Sequence, residues 1–114
     1  MPVFLSQRDV GPITILELGE HLKAENISEF RETLQHLVEQ GRSHLLLDCG
    51  HLRIVDSRGI GSLAGNWLSL KKRGGKVGLL NPPVRVLDVL RIVGLQEVIE
   101  RFDDIGKALP SLAK

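Results

Sequence analysis

The apolar positions of this chain change their repeat several times, and each change marks an element. Val3-Phe4-Leu5 and Ile13-Thr14-Ile15-Leu16-Glu17-Leu18 read as two strands joined by a turn at Arg8-Asp9-Val10-Gly11. Pro12 falls at the start of the second strand, where a missing N–H does little harm. After Gly19-Glu20 the repeat becomes helical: Ile27, Phe30, Leu34, Leu37 and Val38 share one face, and Glu29, Arg31, Glu32 and Gln35 occupy the other. Gly41 is placed to end that helix. Residues 44–48 are apolar at their centre without alternation, which fits a strand covered on both faces.

The second half repeats the theme. Ile60, Leu63, Ala64, Trp67 and Leu68 return to helical spacing, with Lys71, Lys72 and Arg73 complementing the negative end of the helix dipole and Gly74-Gly75 ending it. Val77-Gly78-Leu79-Leu80 is a further buried strand. Asn81-Pro82-Pro83 stops it and opens a third helix, with Asn81 as cap, Pro82 at the first position, an end near Val93 and Gly94 as stop. Ile99-Glu100-Arg101-Phe102 reads as a short last strand, and Asp103 or Asp104 caps a final helix through Leu109 that Pro110 limits. The order β-β-α-β-α-β-α-β-α predicts an α/β fold: a mixed, mostly parallel sheet of four or five strands with about four helices and right-handed crossovers. No repeat or linker interrupts it, so residues 1–114 are read as one domain.

Charge and composition exclude more than they assign. A formal net charge of +1 gives no electrostatic case for nucleic acid or an anionic membrane surface. The one cysteine, Cys49, cannot form an internal disulfide. The first residues lack the basic and apolar regions of a signal peptide, and no apolar run reaches the ~18 residues of a membrane span. A cytoplasmic protein without membrane insertion is the expectation.

The candidate chemistry sits in Val55-Asp56-Ser57-Arg58-Gly59-Ile60-Gly61. Asp56 and Ser57 precede a helix, where free N–H groups and a partial positive charge favour both a capping side chain and a phosphate. On residue types alone, capping is the simpler reading. Gly59 and Gly61 in the first turn each cost roughly 1 kcal/mol relative to alanine, so keeping both points to close backbone approach by a loop, an anion or a partner.

This segment, from Leu45-Leu46-Leu47-Asp48 through Gly61, resembles the signature of the STAS domain, the sulfate transporter and anti-sigma factor antagonist family: an apolar strand ending in Asp, a short loop, then Asp-Ser-Ser/Thr-Gly before a helix. The likeness extends to Gly19-Glu20 with Ala24-Glu25-Asn26, to Gly75-Lys76-Val77, to Pro83-Val84-Arg85-Val86-Leu87 and to Val93-Gly94-Leu95. It implies a bacterial, non-enzymatic regulator in transcription. Free-standing members bind an anti-sigma factor that is also a serine kinase, are released when that kinase phosphorylates the serine after the motif Asp, and are restored by a phosphatase. Carried over, the phospho-acceptor is Ser57 and the motif acid Asp56. Partner contacts are expected at Asp56, Ser57, Arg58, Gly59, Ile60, Gly61 and Lys23, and at Val89 on the apolar third helix. Arg58 replaces the second Ser/Thr of the motif, and Lys23 stands where the family often has Asp. Those two changes motivate an alternative: a STAS adaptor in a lipid-transport or sensory assembly, without phosphorylation at Ser57.

Enzymatic readings fare worse. Gly59-Ile60-Gly61-Ser62-Leu63-Ala64 formally matches a dinucleotide fingerprint, but a loop separates it from the strand and no acid lies at the end of the next strand. Ser57, His51 and Asp48 or Asp56 supply the letters of a hydrolase without its G-x-S-x-G elbow. His44, Cys49 and His51 do not have a zinc spacing. No catalytic residue, cofactor or metal is expected.

Overall fold

β1 (Phe4–Val10) and β2 (Ile13–Leu18) form an antiparallel hairpin whose turn is Gly11-Pro12. The first strand therefore continues through Arg8 and Asp9, residues expected in the turn. A polar clamp explains the extension. Thr14, buried in β2, donates its hydroxyl to Asp9 at 2.7 Å, and Arg42 donates to the Thr14 hydroxyl at 2.9 Å while pairing with Asp9 at 3.0 Å. Arg42 also reaches the Gly11 carbonyl at 3.2 Å, so the hairpin end is held from the neighbouring connection. The computed structural model describes residues 3–92, 94–95 and 99–114.

β2, β4 (His44–Asp48), β6 (Lys76–Leu80) and β7 (Glu100–Phe102) run parallel, giving a five-stranded sheet in the order β1-β2-β4-β6-β7. α1 (Ile27–Glu39), α2 (Ser57–Lys72) and α3 (Val84–Ile92) cover one face, and α4 (Ile105–Leu112) covers the other. The period of two along β4 divides the two cores: Leu45 and Leu47 join Phe30, Leu34, Leu63 and Trp67, whereas Leu46 joins Ile13, Ile15, Leu80, Ala108 and Leu112. This is the continuous apolar run of a strand buried on both sides. Phe4 stacks on Phe30 with ring centroids 5.7 Å apart, anchoring α1 to the hairpin.

Helix ends follow the expected stops. The amides of Arg42, Gly75 and Leu95 reach the carbonyls of Leu37, Leu70 and Leu90, each at 2.8 Å, closing α1, α2 and α3. Val93 lies outside the described residues. Two expectations change. Asn81 does not cap α3: it has a left-handed φ of 52° and donates its amide to Phe102 across the strand ends, and the helix opens at Val84 with the Pro83 carbonyl accepting from Val86 and Leu87. Pro110 does not end α4, which continues to Leu112. The lost N–H faces Gly106 in the exposed first turn, and Leu112 is fully buried, so packing outweighs the missing bond.

A second, two-stranded sheet escapes the periodicity argument. β3 (His21–Leu22) pairs in parallel with β5 (Ile54–Val55), two residues each, too short for an alternation to show. β5 leads directly into α2, whose Gly59 packs against Leu22 of β3, so the pair positions the site.

Candidate functional site

Beyond β4 the chain is guided to α2 by backbone bonds. Asp48 accepts from the Gly50 amide at 3.0 Å, Leu52 donates to the Cys49 carbonyl at 3.1 Å, and Arg53 and Ile54 both donate to Glu20 at 2.8 and 2.9 Å. The β3–β5 pairing then brings the Asp56 amide to the Leu22 carbonyl at 3.3 Å. Lys23 and Ala24, which follow β3, are thereby delivered beside Asp56.

Asp56 is the N-cap of α2, in an extended conformation, and both carboxylate oxygens are used. Oδ1 accepts from the Gly59 amide at 2.8 Å, satisfying a free N–H of the first turn. Oδ2 accepts from the Ala24 amide at 3.0 Å. These two amides, first Gly59 and then Ala24, with the Arg58 amide and charge adding to them, hold the Asp56 carboxyl below its ordinary value. One side chain therefore fastens the start of α2 to the connection before α1.

That connection has its own fastening, which the sequence pattern did not reveal. Asn26 accepts from the Lys23 amide at 2.9 Å and donates to the His21 carbonyl at 2.8 Å. It holds the N-cap position of α1, but its side chain makes no capping bond there. Lys23 pairs with Glu25 at 2.9 Å, and that bond and charge lower the Glu25 pKa. An Asn just before a helix is an ordinary capping signal; its use as a loop brace depends on where His21 and Lys23 lie in space.

Ser57 is the first residue of α2 and is exposed. Among the described residues its hydroxyl has no hydrogen-bond partner. The capping task that makes serine unremarkable at a helix start belongs to Asp56. Arg58 beside it is also exposed.

The paired glycines part company. A Cβ on Gly59 would run into the Leu22 backbone carbonyl, so this position needs glycine because β3 crosses against the helix there. Gly61 is exposed, and a Cβ on it would meet nothing within 4 Å. Close approach by β3 accounts for the first glycine and leaves the second unexplained within the fold. Ile60 is buried in the core, Lys23 is half-buried, and Val89 on α3 is half-buried against the core rather than fully outward. The large exposed apolar side chains of α2 and α3 are Leu68, Val84 and Ile92.

Other candidate chemistry disperses. His51 pairs with Glu17 at 3.2 Å, away from Ser57's helix turn. Cys49 is buried, its thiol pushed up to about 12 by burial and then by Asp48. Among the described residues no group of three His, Cys, Asp or Glu side chains is placed to hold a metal, and no helix is long and apolar enough to cross a membrane. Trp67 is a core residue with Lys71 over its ring.

The family model of the STAS domain matches residues 6–108, nearly the whole chain and the whole of this site. The chain belongs to the STAS domain family. Among curated relatives, the anti-sigma-B factor antagonist of Bacillus subtilis is 34% identical over 70 residues, 61% of this chain and 63% of that protein. This match therefore spans less than two thirds of that relative's length. The anti-sigma F factor antagonist of Paenibacillus polymyxa is 26% identical over 104 residues, 88% of this chain and 86% of the relative. The structure of the Bacillus cell fate determinant SpoIIAA in its phosphorylated form has the same fold, with a TM-score of 0.78 at 19% identity over 94% of this chain and 97% of that one.

Proposed function

We propose that this STAS protein is an anti-sigma factor antagonist: a non-enzymatic regulator that binds an anti-sigma factor with serine kinase activity and is switched off by phosphorylation of Ser57. The observation that carries the reading is the division of labour at the start of α2, where Asp56 caps and the Ser57 hydroxyl is left exposed and unbonded. The two curated relatives named as antagonists support the general role.

The physics of the switch is economical. A phosphate adds about −1.5 to −2 charge units. At the positive end of α2 it is tolerated by the free protein, with Arg58 beside it. In a packed interface next to the ionised Asp56 it meets like charge and loses solvent, so the complex breaks without refolding. Incubation with the cognate kinase and ATP should yield a single phosphosite, absent in Ser57→Ala. Modification at another residue, with Ser57 untouched, would sink the reading.

Lys23 and Arg58 favour a second reading, a constitutive adaptor in another assembly. It requires that Ser57→Asp leave partner binding unchanged; a loss beyond about tenfold, 1.4 kcal/mol, excludes it.

A further inference from the structure

α2 and α3 together hold five of the fifteen basic side chains of the chain and one of its fourteen acidic ones, a net +4. The remainder, with ten basic and thirteen acidic, is net −3. A chain of formal charge +1 thus concentrates positive charge on these two helices. The same two helices expose Leu68 (46%), Val84 (70%) and Ile92 (81%). On α2, Ser57, Gly61, Ala64 and Leu68 follow one another at steps of four, three and four, and so form one stripe beside the buried stripe of Ile60, Leu63, Trp67 and Leu70. Gly61 in this stripe and the exposed Gly65 next to it have open space where a Cβ would be. Both helices return against parallel strands, so they run side by side with their N-termini at one end of the sheet.

We infer that the α2–α3 face docks an acidic amphipathic helix of the protein partner, its apolar stripe on Leu68 and Ile92 and its carboxylates on Arg58, Lys72 and Arg85. This rests on the reading that the surface around Ser57 is the partner-binding surface, and it names the chemistry of what binds there. Charge complementarity selects the occupant, since an acidic segment is attracted to the +4 face and a basic one is repelled. The absent side chains at Gly61 and Gly65 let a helix backbone come close. A lipid surface gains nothing from that, and the one tryptophan that would anchor in a headgroup layer is buried. The site of modification then acquires a role beyond bulk: a phosphate on Ser57 cancels up to half of the positive charge that attracts the partner.

The test needs no kinase. A synthetic amphipathic helix of about 20 residues, with a Leu stripe flanked by Glu, is titrated into isotopically labelled protein, beside the same peptide with Lys for Glu. The Glu peptide should shift the amides of Gly61, Gly65 and Leu68, and the effect should fade between about 50 and 500 mM NaCl. Lys72→Glu with Arg85→Glu, both exposed and outside the core, should weaken binding at least about tenfold, whereas Glu32→Lys on α1 should not. The inference is overturned by equal binding of both peptides, by no binding of either, by shifts elsewhere, by binding of anionic vesicles in their place, or by the same amides shifting when the protein alone is concentrated. Each of these leaves phosphorylation of Ser57 standing or falling on its own experiment.

Discussion

Asp56 and Ala24, thirty-two positions apart in sequence, are joined by a 3.0 Å bond from the Ala24 amide to the Asp56 carboxylate. The same carboxylate holds the Gly59 amide, so Ser57 is displayed by a helix end tied to the loop before α1. Asp56→Ala should lower the melting temperature and broaden the amide signals of both Ala24 and Gly59. Because the folded pKa lies below 3.8, the carboxylate's contribution is present above the unfolded value and lost as pH falls through the folded one. The gap between wild type and Asp56→Ala should therefore be complete above about pH 5 and close only below 3.8, as read by thermal melts across acid pH.

The two first-turn glycines give opposite predictions. Gly59→Ala forces a methyl against the Leu22 backbone and should destabilise by roughly 2 kcal/mol or more, with β3 displaced. Gly61→Ala enters open space in a helix and should stabilise by about 0.4–1 kcal/mol. Urea denaturation of the two variants separates steric need from surface use. If Gly61→Ala is stabilising yet weakens partner binding, its glycine serves the interface.

How much of this was legible in the sequence differs by the kind of signal. β2, β4, β6 and the longer helices show because their apolar repeats extend over several residues, as in Ile27 to Val38 or Leu45 to Leu47, whereas the polar second half of β1, with Arg8 and Asp9, reads as a turn. β3 and β5 carry no repeat and take their existence from pairing with each other. At the site, the Asp56-Ser57 pair announced a helix start, but which of the two residues caps depends on the exact start of α2. Asn26 looked like an ordinary residue before a helix, and only the positions of Lys23 and His21 make it a brace. Asn81 and Pro110 misled for the same reason: local preference lost to a contact made far along the chain, with Phe102 and with the core around Leu112.

Thr14→Val should leave the half-buried Arg42 and the exposed Asp9 without the buried hydroxyl that joins them, at a cost of roughly 1 kcal/mol. Hydrogen exchange should quicken at the Val10 and Ile13 end of the hairpin while the α2 start is unaffected. Uniform loosening of the whole sheet would argue against a local clamp.

The Cys49 thiol, raised from 9.0 to about 12, should resist a disulfide reagent at pH 8 in the native protein and react fully in urea. A raised folded pKa contributes stability that is complete below the unfolded value, so stability from this group should fall as pH rises from 9 towards 12. Cys49→Ala should flatten that part of the pH profile. Rapid native labelling at pH 8 would show that the end of β4 opens.

The central claim is that charge on Ser57, and not loss of its hydroxyl, releases the partner. Protein with phosphoserine installed at position 57 during synthesis should be titrated by calorimetry against the kinase anti-sigma factor, beside unmodified protein and Ser57→Ala. Ser57→Ala should bind like unmodified protein, and the phosphoserine form should bind at least about tenfold more weakly. Equal affinity of the phosphorylated and unmodified forms would contradict it.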